Sequence, residues 1–261
     1  MKKLFAMVLA LVLALSCFAG CEQATGSDLQ QIKQKGKIVV GITEYKPMDY
    51  LDENGNWTGF DAELAVLFAQ ELDVEVEFFV IADWGKKFVE LETKQIDVIW
   101  NGMTISNDVL NNTSCSIPYV MNAQVIVMKA DKIGQYPDLE SMKGLTIAVE
   151  NDSAGEDAAK SAGFTNLIEV QYQDNALMEV AAGTADACVI DITMANNMTG
   201  PGTSYADLGK SFELTKEEYG VGFRKGSDLT AKLNEFLKKL KQDGTLQALA
   251  DKYGLTLADI A

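Results

Sequence analysis

The apolar positions change period several times along the chain, and each change marks an element. At 74–80, Val74, Val76, Phe78 and Val80 alternate with Glu75, Glu77 and Phe79, the two-residue period of a strand. Just before it, Leu64, Leu67, Phe68 and Leu72 share one face at helical spacing, which predicts a helix over 60–72. The same reading puts strands at 37–42 and 96–100 and a helix at 84–91. In the second half the alternation returns, with strands at 146–149, 167–170 and 187–190 and helices at 154–162 and 175–182. Strands separated by single helices predict an α/β fold with a mainly parallel sheet. Two helices follow at 227–241 and 245–253, with Ser227-Asp228 as a start signal and Gly244 as a stop. Residues 131–144, with Tyr136-Pro137 and Gly144, read as a lobe-joining or peripheral loop.

The two halves share a grammar. Lys94-Gln95-Ile96-Asp97-Val98-Ile99 and Thr184-Ala185-Asp186-Ala187-Cys188-Val189 are each a helix exit, an aspartate and an apolar strand. That points to two lobes of related build.

Residues 1–20 obey a different rule. Lys2 and Lys3 precede an apolar run over 4–15, and Ala19-Gly20 leads into Cys21. A charged start, a short apolar stretch and a small-residue cleavage site form an export signal. The run is at the lower edge of what a membrane-crossing helix needs. Cleavage before Cys21 removes two lysines and no acid, so the formal net charge moves from -16 to -18. A domain this acidic has the wrong sign for nucleic acid or an anionic membrane surface.

The absences narrow the chemistry further. The sequence has no histidine and one arginine, Arg224. Ser-His-Asp and Cys-His catalysis are therefore excluded, and the commonest zinc ligand is missing. The acids lack the spacing of a calcium loop, so neither a metal nor a cofactor is expected. Cys115 and Cys188 are too few for a disulfide framework and read as buried, inert thiols.

Several short motifs occur in a fixed order: Gly36-Lys37-Ile38-Val39-Val40-Gly41, Tyr45-Lys46-Pro47-Met48, Gly55-Asn56-Trp57-Thr58-Gly59-Phe60-Asp61, and Ile96-Asp97-Val98-Ile99 leading to Gly102-Met103-Thr104-Ile105. The second half adds Lys143-Gly144-Leu145-Thr146-Ile147-Ala148-Val149, Ser153-Ala154-Gly155-Glu156, Ala182-Gly183-Thr184-Ala185-Asp186-Ala187 ending at Asp191, Gly222-Phe223-Arg224-Lys225-Gly226 and Asp243-Gly244-Thr245. Over 36–253 the chain thus resembles the extracellular solute-binding proteins of polar-amino-acid ABC importers.

The resemblance implies a type II periplasmic-binding-protein-like Venus flytrap, two α/β lobes joined by two crossings. The first lobe would take 28–125 plus 219–261 and the second 126–218, after a signal over 1–20 and a tether over 21–27. Cys21 would be lipidated, as in a bacterial lipobox, although Phe18 stands where that motif usually has leucine and Cys17 is a competing site. The implied protein is a monomer on the extracytoplasmic face of the cell membrane, held by its lipid anchor. It would capture a small amino acid or amine in the interlobe cleft, close on it and deliver it to an ABC permease.

The resemblance also implies a ligand set. Asp191 matches the ammonium-binding aspartate, while a plain helix cap is the alternative for the same residue. Tyr45 and Trp84 match the aromatic pair that flanks the ligand side chain. The backbone around Gly102 and Thr104 would donate to ligand oxygens, Ser106 would cap a short helix, and Ser153 opens a capping box that the family turns toward the ligand carboxylate. One position breaks the pattern: Val109 stands where the family has the arginine that clamps that carboxylate, and Ala154 replaces a hydroxyl in the capping turn. Arg224 belongs to a strand motif elsewhere. Either the ligand lacks a free carboxylate, or Lys86, Lys87, a helix start or Asn101 replaces the clamp. The competing classes are a dehydratase-like enzyme on the same fold and a sensor domain that signals through a separate membrane protein.

Overall fold

The computed structural model describes residues 26–260; the expected export signal, Cys17, Cys21 and most of the expected tether lie outside them. The described chain enters through α1 (Asp28–Lys35), whose first turn is capped by Ser27 Oγ accepting from Gln30 N–H. Gly36 ends it at φ 71°, a left-handed conformation that glycine adopts without steric cost. There follow β1 (Lys37–Ile42), the short strands β2 (Tyr50–Leu51) and β3 (Trp57–Thr58), helix α2 (Phe60–Glu71) and β4 (Glu75–Val80). A 3-10 turn at Trp84–Lys86 runs into α3 (Lys87–Glu92), then β5 (Val98–Thr104), α4 (Asn107–Asn112), β6 (Ser114–Cys115) and β7 (Val120–Asn122).

The chain then builds a second sheet: β8 (Gln124–Lys129), β9 (Ile147–Glu150), α5 (Ala154–Ser161), β10 (Leu167–Val170), α6 (Gln173–Ala182), β11 (Ala187–Asp191), α7 (Ile192–Met198) and β12 (Leu208–Glu213). It returns to the first sheet with β13 (Glu217–Phe223), and α8 (Leu229–Gln242) and α9 (Thr245–Tyr253) pack behind it.

The strand orders are β4-β1-β5-β13-β6, with β7 also on β13, and β10-β9-β11-β8-β12. Within each, three neighbouring strands are parallel and the strands nearest the crossings run antiparallel. The two α/β lobes are therefore joined twice, through Ala123 and through 214–216. The expected boundaries, 125/126 and 218/219, lie two or three residues further along.

One apolar cluster runs from the first lobe into the second, and a smaller one lies within the second lobe alone. In the first, Leu64 and Phe68 of α2 meet Ile38, Val40 and Trp100 of the sheet and Phe236 of α8. In the second, Ile126, Ile147, Val149 and Val189 face Ala158 and Ala159 of α5. Truncating a side chain such as Leu64 to alanine would cost about 2–5 kcal/mol.

Three expectations shift for tertiary reasons. β5 extends through Gly102 to Thr104 because β13 pairs along it, Tyr219 opposite Thr104 and Phe223 opposite Val98. Asp228 does not cap α8; its Oδ1 accepts from Leu29 N–H at 3.1 Å, tying the end of the chain to its start. The region 131–144 contains two 3-10 turns, Ala130–Gln135 and Glu140–Met142.

Candidate functional site

A cavity of about 550 Å³ lies where strand ends and helix starts of the two lobes meet. Open α/β sheets bind ligands at such strand ends. Seven carboxylates and two lysines line it, so a cation entering it gains more than an anion.

Asp191, 4 % exposed, is the last residue of β11. Its side chain makes no cap bond to α7, which removes the helix-cap alternative. Instead it accepts from three amides: Gln124 Nε2 at 2.8 Å, Asn122 Nδ2 and Gln173 Nε2. Burial pushes its carboxyl up to about 7, Glu217 adds to the rise, and the amides oppose it. Among the described residues this buried carboxylate pairs with neutral donors and a second carboxylate but with no cation, and a ligand ammonium would supply one.

Trp84 and Val109 belong to one apolar cluster and both face the cavity. Lys87 lines the same wall, and its Nζ lies 4.9 Å from the Trp84 ring centre. Its ammonium donates to Trp84 O at 3.2 Å and to Asp152 O, across the cleft, at 3.4 Å. Burial holds its pKa below the usual lysine value, opposed by Asp108, Glu150, Asp152 and Asp157. Of the two neighbouring lysines, Lys87 and not Lys86 lines the cavity. Arg224 is far from it, bound to Asp28, Asp97, Leu91 O and Ile96 O within the first lobe.

Asn101, Gly102, Thr104, Ser106 and Ser153 all line the cavity, but polar groups of each are engaged within the protein, and Tyr45 lies outside the lining. Tyr45 is 2 % exposed and is not part of the cavity lining. Its ring lies so close to Gly102 that a Cβ there would meet Cε1 at 2.6 Å. Its hydroxyl is 2.5 Å from both Thr193 Oγ1 of the second lobe and the Tyr219 hydroxyl. The Gly102 N–H, expected to face ligand oxygens, donates to Asp61 Oδ2 at 2.6 Å beneath the cavity floor. Asn101 spends its amide on Thr43, accepting from its N–H and donating to its Oγ1. Thr104 Oγ1 donates to Glu217 Oε1 at 2.8 Å. Ser106 caps α4 through Val109 N–H, and Ser153 caps α5 through Glu156 N–H while donating to Glu150 O. Cys188 is buried and Cys115 partly exposed; burial raises the pKa of both thiols.

Sequence reasoning missed Glu150, Glu217, Gln173, Asn122 and Gln124. The amides carry no sequence signal of their own. Glu150 and Glu217 have one only in retrospect, as acids at the boundary of apolar strands. Among the described residues no helix is long and apolar enough to cross a membrane, and no cluster of three or more potential metal ligands occurs.

Known proteins resemble the chain along nearly its whole length. It is 30 % identical over 263 residues to the arginine-binding extracellular protein ArtP of Bacillus subtilis, covering 97 % of this chain and 98 % of that protein. It is 27 % identical over 251 residues to the L-cystine-binding protein TcyJ of Escherichia coli K12, covering 93 % and 92 %. Among solved structures, holo ArgBP from T. maritima superposes with a TM-score of 0.73 at 32 % identity, covering 81 % of this chain and 93 % of that one. The ancestral amino acid-binding protein AncCDT-1, described as a precursor of cyclohexadienyl dehydratase, gives 0.80 at 32 % identity, covering 87 % and 99 %. Residues 38–256 match the profile of one family throughout. With two α/β lobes, two crossings and an acidic cavity between them, the chain belongs to the bacterial extracellular solute-binding proteins, family 3.

Proposed function

We propose that the chain is the capture component of an ABC importer and that its cargo is an amino acid bound by its two charged ends. The ammonium sits on Asp191 and the carboxylate on Lys87, with Trp84 and Val109 as the apolar wall. The protein works as a monomer, lipid-anchored through Cys21 outside the cytoplasmic membrane, and catalyses no reaction. The observation that carries this is Asp191: a strand-end carboxylate buried at the cavity, amide-bonded and, among the described residues, paired with no cation. The cystine and arginine named for the relatives are polar amino acids and support the same class.

Thermal shift against amino acids, each paired with its decarboxylated amine and its amide, tests the reading. Ligand at about 100 times its dissociation constant adds about 2.7 kcal/mol of stability. Amino acids should shift the transition most, and Lys87→Met should erase that advantage while leaving the amines unaffected. Amines that outrank amino acids in the unaltered protein would remove the carboxylate from the site.

One feature favours a second reading, a dehydratase-like enzyme. Glu150 lines the cavity and burial pushes its carboxyl up to about 8, as a proton donor requires. Recovery of bound solute chemically unchanged after long incubation rules that out.

A further inference from the structure

Glu150 ends β9, and β9 runs parallel beside β11, so Glu150 and Asp191 leave neighbouring strand ends into one cavity. The two acids are treated differently by their surroundings. Asp191 receives three amides. Glu150 is 5 % exposed, yet among the described residues none donates a hydrogen bond to its carboxyl oxygens, while Ser153 Oγ donates to its backbone carbonyl. A buried polar group aimed into a cavity without a partner is a receptor for whatever fills that cavity.

We propose that Glu150 sets the specificity of the site by receiving a second nitrogen of the ligand, so that the protein selects solutes carrying two cationic nitrogens, one on Asp191 and one on Glu150. This rests on the reading of Asp191 as the ammonium partner. An apolar ligand end would leave Glu150 buried and unpaired, which the site tolerates only by keeping it protonated. An ammonium or guanidinium there forms a charge-assisted bond. The surroundings agree in sign. Asp191 and Asp174 hinder ionisation of Glu150, and Lys87 alone opposes them. The Lys87 ammonium makes two bonds to backbone carbonyls, and in the reading above its remaining donor goes to the ligand carboxylate. The Trp84 ring forms a flat wall of the same cavity, suited to a chain that ends in a cation.

Calorimetric titration of the purified protein with three matched pairs tests this: arginine and citrulline, lysine and norleucine, cadaverine and pentylamine. Each pair differs in whether the distal group carries a positive charge. The basic member should bind at least about tenfold tighter, and its binding should release a proton, seen by repeating the titration in buffers of different ionisation enthalpy. Glu150→Gln, nearly isosteric, should bring each ratio to within about threefold of unity and remove the extra proton that the basic member releases over its neutral partner, leaving only the release from Asp191 that both members share. A ratio unchanged in Glu150→Gln, or a wild-type preference for the neutral members, overturns the proposal. Asp191→Asn separates the two claims. If it binds normally, the ammonium reading fails, while the effect of Glu150→Gln on the ratio still decides the role of Glu150. No binding of any member to the wild-type protein overturns both.

Discussion

Asp191 and Glu217 share the same two donors. Asn122 Nδ2 and Gln124 Nε2 each donate to Asp191 Oδ1 and to Glu217 Oε1, the latter at 2.6 and 2.7 Å. The two amides flank the crossing at Ala123, and Glu217 opens the strand after the other crossing. Two carboxylates are thus pinned side by side where the lobes join, and in the proposed reading a ligand cation balances them.

Replacing Asp191 with Asn should abolish binding of any ammonium ligand. Removing one partner of a buried charge pair costs about 2–5 kcal/mol, roughly 30-fold to several thousand-fold in affinity. The empty protein should not suffer, because the repulsion from Glu217 goes with the charge. Titration calorimetry alongside thermal denaturation checks both. Retained affinity would take the central contact out of the site.

The buried acids predict an inverted pH response. Burial raises Glu150 to about 8 and Asp191 and Asp61 to about 7, whereas free carboxyls titrate near about 4. The folded chain therefore holds protons that the unfolded chain has released, and stability falls as pH rises between those values. The ligand-free melting temperature should drop from pH 5 to pH 8.5, and Glu150→Gln should flatten that slope. A melting temperature that climbs over this range contradicts the assignment. The depressed acids, Glu63 and Glu156 among them, lose their contribution only at lower pH.

Tyr45→Phe should weaken binding without changing selectivity. The mutation removes the hydroxyl that links the first lobe to Thr193 and Tyr219, and a hydrogen bond of this kind contributes about 0.5–1.5 kcal/mol. The loss belongs to a contact between the lobes and not to the ligand, so all ligands should weaken by a common factor, about two- to twelvefold. Small-angle scattering should show a larger mean radius. A loss confined to one ligand class would return Tyr45 to the role of a side-chain wall.

How far these features could be read from sequence depended on how local their causes are. The βα rhythm was legible because Leu64, Leu67 and Phe68 declare a helix and Val74 to Val80 a strand within a few residues. The odd Val109 was legible because it interrupts a motif. Tyr45 was legible as an aromatic near the cleft, but not as a buried bridge, since its hydroxyl partners lie 148 and 174 residues away. Strand β8 had no period to reveal it, being buried through Gln124–Met128. Glu150 was hidden for the same kind of reason: an acid before Ser153 looks like the approach to a helix, and only the cavity shows that it has no partner.

The crossing at Ala123 is one residue long, set between two strands hydrogen-bonded into different sheets. Such a joint has no slack. Displacement of one lobe against the other has to be absorbed by a few backbone torsions, which favours turning about a fixed axis over sliding. A cargo held on Asp191 would sit close to that axis, while the outer rims of the lobes would travel furthest. A small adjustment around one ammonium would then become a large change in the outline of the molecule, and a partner that touched only the rims could tell a loaded receptor from an empty one.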